Sequence, residues 1–340
     1  MASAMTSNAF TPLRGDSVII ERTFGAMGTH VTIALCAIDK SAAENDIYAA
    51  QESIKLFECR FSRFLPESEL SHLNKSAGNP YHASGEMIDL LTVAWQWHRE
   101  TKGVFDPSVI GALENLGYDR SLDFDKGPAR TDANIVFNMG VHQAVFSRRG
   151  RFADMRIHKK SGDVVLPQGL RIDFGGVGKG YIVDKIAMRL AQKYDHFWIS
   201  AGGDMYVKGC DLAGKPWEVG VQDPLHLQSD IGNVTMKELS FMAVATSGVM
   251  KRRGEKGGLK WHHIIDPRTG FPATQEVIAV TVLARTTVEA DVCAKTALIL
   301  GKEAGMAFIE KRAGCAAIMI DQEGRIAFSS RMKGFFIPVI

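Results

Sequence analysis

The stretch from Arg171 to Asp184, Arg-Ile-Asp-Phe-Gly-Gly-Val-Gly-Lys-Gly-Tyr-Ile-Val-Asp, constrains this chain more than any other. Gly169 to Asp173 reads as a short buried strand. Tyr181 to Lys193 reads as an amphipathic helix, with Ile182, Ile186, Ala187, Leu190 and Ala191 at helical spacing. Between them fall Gly175, Gly176, Gly178 and Gly180. Glycine at that density lets a backbone approach a ligand closely and enter φ > 0. The helix start that follows offers free N–H groups and the positive end of its dipole, and Lys179 adds a full charge. The physical reading is a cradle for a phosphate or pyrophosphate; the plain alternative is a tight strand-to-helix connection. Two common phosphate-binding patterns fail. Lys179 is followed by Gly180 where a P-loop places Ser or Thr, and the glycine spacing departs from the dinucleotide G-x-G-x-x-G and lies mid-chain.

The chain is long enough, at 340 residues and 46% hydrophobic, to bury a sizeable core in one large domain or two joined lobes. Forty basic residues stand against 38 acidic ones, for a net charge of +2. That balance, without long runs of like charge, gives no footprint of a nucleic-acid or membrane-surface partner. No apolar stretch approaches a membrane span. Cys36, Cys59, Cys210, Cys293 and Cys315 show no metal-ligand spacing and read as reduced, mostly buried thiols. The first residues lack a basic segment followed by an apolar one, so the expected location is cytoplasmic.

Along the chain, residues 1–16 read as a flexible lead-in to a single unit spanning 17–340. Strands are expected at Ser17–Phe24 and His30–Cys36, joined through Gly25–Thr29, and a helix over 41–59 with Ile47, Ala50, Ile54 and Phe57 inward. A second helix runs from Ser84, its N-cap, to Thr101. Arg148, Arg149 and Arg151 form a basic patch read as solvated surface. Further strands are expected near 197–201, 204–209, 217–221, 240–246, 277–284, 315–320 and 325–328, and helices at Thr287–Leu300 and Lys302–Lys311. Irregular alternation of helices and strands with short turns indicates an α+β fold, organised as one two-lobed unit.

Several short motifs occur in a fixed order. They are Met27-Gly-Thr29; Ser62-Arg-Phe-Leu-Pro with Ser68-Glu-Leu-Ser-His-Leu-Asn74; Phe105-Asp-Pro-Ser108; the glycine stretch with Asp184; Ser200-Ala-Gly-Gly-Asp204; Thr246-Ser-Gly248; His263-Ile-Ile-Asp-Pro-Arg-Thr-Gly270; and Ala290-Asp291. In this order, over about Phe24 to Gly301, the chain resembles the ApbE family, the FAD:protein FMN transferases, which split FAD at its pyrophosphate and move FMN onto a Thr or Ser hydroxyl of an acceptor protein. The resemblance implies a T-fold-like unit with mixed sheets flanked by helices and an FAD cleft.

Carried onto this sequence, the resemblance implies that Met27 lines the flavin pocket and that Phe64 stacks on the isoalloxazine, the alternative for Phe64 being an ordinary core aromatic. Val104, Phe105 and Asp106 would surround the nucleotide, Asp173 and Lys179 would hold FAD from the glycine loop, and Ile265 would contact it from the later motif. It implies Mg²⁺ as cofactor, held by the backbone carbonyl of Gly176 and the carboxylate of Asp291. The acceptor hydroxyl needs a general base, for which His263 is the candidate, with Asp173 completing the catalytic pair. The alternative for His263 is a purely loop-holding role. Its neighbour His262 faces the other way if the segment is extended, and Asp266 either orients the histidine or caps the turn.

One position departs from the family pattern. Where the family usually carries Thr, four residues after the metal aspartate, this chain has Lys295, one helical turn from Asp291 on the same face. Three readings stay open: Lys295 swings aside from a metal, its ammonium partly replaces the metal, or the protein binds flavin without transferring it. The functions in play are accordingly FMN transfer, FAD hydrolysis to FMN and AMP by the same site, and flavin binding or delivery without turnover.

Overall fold

The computed structural model describes residues 13, 15–119, 129–130, 150–237, 242–256, 259–274 and 276–339. Most of the 1–16 lead-in, together with Arg148 and Arg149 of the basic patch, lies outside the described residues. Arg151 is exposed and paired with Asp154.

An eight-stranded sheet forms the centre: β1 (Val18–Ala26), β2 (Thr29–Ala37), β3 (Phe197–Ala201), β4 (Asp204–Lys208), β5 (Ala243–Gly248), β6 (Val277–Ala284), β7 (Ala316–Asp321) and β8 (Ile326–Phe328). Their order across the sheet is their order in the chain, and every neighbouring pair is antiparallel. Every residue of β6 and β7 is buried, so the sheet is covered on both faces there. A small sheet is mixed: Arg253–Lys256 pairs antiparallel with Leu259–His262 and parallel with Ala129–Arg130.

The helices are α1 (Lys40–Phe61), α2 (Glu69–Lys75), α3 (Gly85–Glu100), α4 (Ile110–Asn115), α5 (Gly178–Leu190), α6 (Thr287–Leu300) and α7 (Lys302–Glu310). On the sheet, α1 packs against β1 and β2, α5 against β3 and β4, α6 against β5 and β6, and α7 against β7. The expected apolar stripe of α1 is buried, and Ser84 caps α3 by accepting the Met87 N–H. No helix among the described residues is long and apolar enough to cross a membrane.

Two tight hairpins lie side by side at one end of the sheet. Met27 and Gly28 turn β1 into β2 with φ of 55° and 64°; Gly202 and Gly203 turn β3 into β4 with φ of 67° and 96°. Two consecutive residues at positive φ fit the twist of antiparallel strands, which explains the paired glycines. A Cβ on Gly202 would strike the Thr29 hydroxyl, so two motifs far apart in sequence meet here.

The glycine stretch differs from its sequence reading. Residues 169–173 are not a strand, because their main-chain partners are not a neighbouring strand. The Asn74 side-chain amide pairs with Ile172, donating to its carbonyl at 2.9 Å and accepting its N–H at 2.8 Å, and the Asp173 N–H donates to the Pro107 carbonyl. The helix begins at Gly178, three residues earlier than expected. None of the four glycines takes a positive φ; two of them, Gly176 and Gly180, serve close approach to neighbouring elements instead.

Candidate active site

Helix α6 is buried on nearly all sides, and Asp291 and Lys295 share one face of it. One turn apart, they form an ion pair, with Lys295 Nζ 2.8 Å from Asp291 Oδ1. The same ammonium donates to the Gly176 carbonyl at 3.2 Å, in the turn leading into α5. Gly176 permits this contact. A Cβ there would lie 3.1 Å from the Phe105 ring and 3.4 Å from Lys295 Cε.

Lys179, in the first turn of α5, forms an ion pair with the buried carboxylate of Asp204 at the start of β4. Burial pulls its ammonium down to about 8; Asp291 opposes this, and the charges of Arg252 and Lys295 add to it. Lys179, Lys295, Asp291 and Arg252 therefore lie within electrostatic reach of one another.

His263 follows the strand Leu259–His262. Its main-chain N–H donates to the Arg252 carbonyl at 3.0 Å, and its Nδ1 lies 3.2 Å from the same oxygen. An Nδ1–H donated to that carbonyl leaves Nε2 with the free lone pair. Burial first, then the charges of Arg252, His262 and Lys295, holds the imidazole well below its usual range. The ring stays neutral at pH 7 and able to take a proton. His262 is buried and holds the hairpin, with Nε2 3.1 Å from the Ala273 carbonyl and Nδ1 accepting the Ile264 N–H. Asp266 caps its turn, accepting from the Arg268 N–H and, through both oxygens, from the Arg268 guanidinium.

Asp173 sits between Arg63, 3.7 Å away, and the N–H groups of Phe174 and Gly175. Burial raises its carboxyl, against the pull of Arg63, those two amides and Arg252. Arg63 is itself a packing centre. Its side chain is 4% exposed, its guanidinium lies 4.2 Å from the Phe64 ring centre and 4.9 Å from that of Tyr118, and it donates to the Tyr118 carbonyl at 2.9 Å. Tyr118 stacks in turn on Trp261. Half-buried Phe64 thus belongs to an aromatic and guanidinium cluster that reaches Asp173.

Phe105 is fully packed beneath Gly176, its N–H donating to Thr101 Oγ1 and its carbonyl 2.9 Å from His98 Nδ1. Val104 beside it is half-buried, and Asp106 accepts from the N–H and hydroxyl of Ser108 at 2.8 and 2.6 Å. Ile265 is buried with Ala112, Leu113, Leu116 and Trp261, and Met27 occupies the first hairpin turn.

Gly176, Lys179, Asp291 and His263 are thus linked through Lys295, while Asp173 and Phe64 are linked through Arg63. Sequence reasoning gave no role to Arg63, Arg252 or Asp204. Arg63 and Asp204 lie inside motifs, which was the available signal; Arg252 had none. The arrangement offers hydrogen-bond donors and three cationic side chains for a pyrophosphate, and a neutral imidazole for a proton.

The chain matches the model of the ApbE family over residues 27–319. It is 28% identical over 323 residues to an FAD:protein FMN transferase of Klebsiella pneumoniae, covering 93% of this chain and 88% of that protein. A second Klebsiella pneumoniae protein of the same name is 32% identical over 317 residues, with 92% of each chain covered. Among solved structures, the ApbE protein of Thermotoga maritima superposes with a TM-score of 0.82 at 25% identity, over 94% of this chain and 99% of that one. By its motifs, its fold and the span of these matches, the chain belongs to the ApbE family.

Proposed function

We propose that this chain is an enzyme that transfers FMN from FAD to a Thr or Ser hydroxyl of an acceptor protein, releasing AMP. The observation that carries the reading is the Lys295 ammonium joining Asp291 to the turn at Gly176, with Lys179 in the helix turn that follows and the neutral His263 within electrostatic reach of Lys295. The names of its relatives support the same activity.

In this reading Lys179 and Asp173 hold FAD at the glycine turn. Phe64, braced by Arg63, presents a ring face to the isoalloxazine. Met27, Val104, Phe105, Asp106 and Ile265 complete the walls. The acceptor oxygen attacks the FMN-side phosphorus, and the bond from that phosphorus to the bridging oxygen breaks. AMP leaves with the electron pair, and the hydroxyl proton passes to His263 Nε2. Phosphoryl transfer of this kind depends chiefly on positioning and charge stabilisation, which the lysines supply.

Mg²⁺ at Gly176 and Asp291 is the cofactor implied by family resemblance. In this chain the Gly176 carbonyl and Asp291 Oδ1 are both bound by the Lys295 ammonium. Among the described residues, no group of three or more His, Cys, Asp or Glu side chains is placed to hold a metal. Mg²⁺ requires about six oxygens at close to 2.1 Å. The donor set as arranged does not fit it, and no step above passes through a metal.

The test is mass spectrometry of a Thr- or Ser-containing acceptor domain incubated with the protein and FAD. A mass gain matching FMN, with AMP released, supports transfer. AMP and FMN without a gain on any acceptor point to hydrolysis, and intact FAD throughout points to a binding protein.

A further inference from the structure

We infer that Lys295 is a tethered cation that stands in for a divalent metal ion, so that this chain handles FAD without one. The inference rests on the reading of FAD as substrate and goes beyond it. The Lys295 ammonium hydrogen-bonds to two oxygens from separate elements, the Gly176 carbonyl at 3.2 Å and Asp291 Oδ1 at 2.8 Å. The pair is built into the fold and not a surface accident. The Lys295 side chain is 17% exposed and that of Asp291 5%. The lysine stem passes over Gly176, whose missing Cβ would lie 3.4 Å from Lys295 Cε and 3.1 Å from the Phe105 ring.

The charges around it point the same way. Lys179 and Arg252 are electrostatic neighbours, and the nearby carboxylate of Asp204 is already paired with Lys179. A divalent ion entering here would meet three cationic side chains. Asp291 Oδ2 is buried without a hydrogen-bond partner, but it offers a single ligand and not a coordination shell. An ammonium has three N–H donors. Two are committed to Gly176 and Asp291, which leaves the third for an oxygen of the pyrophosphate. Lys295 donates a hydrogen bond to the leaving phosphate as charge collects there.

The experiment uses the full chain in two parts. Mn²⁺ binding is titrated by electron paramagnetic resonance without flavin, for the wild type, Asp291→Asn, Lys295→Thr and the double variant. FAD binding is then followed by flavin fluorescence with and without chelator. The wild type is expected to bind no stoichiometric Mn²⁺ and to hold FAD equally in both conditions. Lys295→Thr is expected to gain one Mn²⁺ site, lost again in the double variant, and its FAD affinity to drop by about tenfold or more in chelator. A stoichiometric Mn²⁺ site in the wild type that disappears in Asp291→Asn overturns the inference, even where Lys295→Thr fails to fold. Failure of the wild type to bind FAD under any condition overturns the substrate reading instead, and the flavin-free Mn²⁺ titration still decides the role of Lys295.

Discussion

Asp184 of α5 caps α6: its Oδ1 accepts the Thr287 N–H at 2.7 Å and its Oδ2 accepts the Val288 N–H at 3.0 Å. Thr286 takes the next amide, accepting the Glu289 N–H at 3.2 Å. Three of the donors that a helix start leaves without partners are thereby satisfied, two of them by a side chain from another helix. The helix that carries Lys179 is thus fastened to the helix that carries Asp291 and Lys295.

Asp184→Ala leaves two buried amides without acceptors and is expected to lower unfolding stability by about 1–3 kcal/mol. Asp184→Asn retains one acceptor oxygen and is expected to lose less. Urea unfolding of the three proteins measures the difference, and equal midpoints would show that the cap adds nothing.

Gly180 lies where α5 crosses α6. A Cβ there would stand 2.8 Å from the Val288 nitrogen and Cα, which are backbone atoms with no freedom to rotate away. Gly180→Ala must part the helices, at an expected cost of about 1–3 kcal/mol. Because the parting also moves Lys179 from Lys295, FAD affinity is expected to fall with stability. Calorimetry and flavin fluorescence on one preparation check both, and full stability with full affinity would contradict the packing.

The His263 imidazole is held well below the ordinary value of 6.5. Below that pH the unfolded chain takes up a proton that the folded chain does not, so this residue's contribution to stability is lost as pH falls from 6.5 toward the folded value. His263→Gln is expected to lose less stability on acidification than the wild type. The same shift puts the acid limb of kcat/KM below pH 6.5, and the variant is expected to turn over about 10²–10⁴-fold more slowly. An acid limb at or above pH 6.5 counts against His263 as the base.

Lys179, pulled down to about 8, loses its charge in the free protein as pH rises through that value. A neutral amine binds pyrophosphate less well, so FAD affinity is expected to decline above pH 8. Lys179→Arg keeps its charge at any pH used and is expected to flatten the profile. Fluorescence titrations from neutral to alkaline pH compare the two, and a flat wild-type profile would remove Lys179 from the anion site.

The sequence by itself determined the class of fold and the pieces of the site. Alternation and helical spacing gave β1, β2, α1, α3, β6 and α6 close to their observed limits, because each buries one face or all of itself. The ordered motifs gave the family, and the four-residue spacing gave the Asp291–Lys295 pair. Tertiary structure decided what those pieces do. Gly169–Asp173 has strand-like composition, yet its hydrogen bonds go to the Asn74 side chain and to Pro107, partners far away in sequence. Glycine spacing could not reveal that Gly180 makes room for Val288 and Gly176 for Phe105 and Lys295, since that space exists only once the elements meet. Whether the Lys295 ammonium swings away from Asp291 or fills its site depends on a carbonyl in another element. Only the folded chain brings Gly176 within 3.2 Å of that nitrogen.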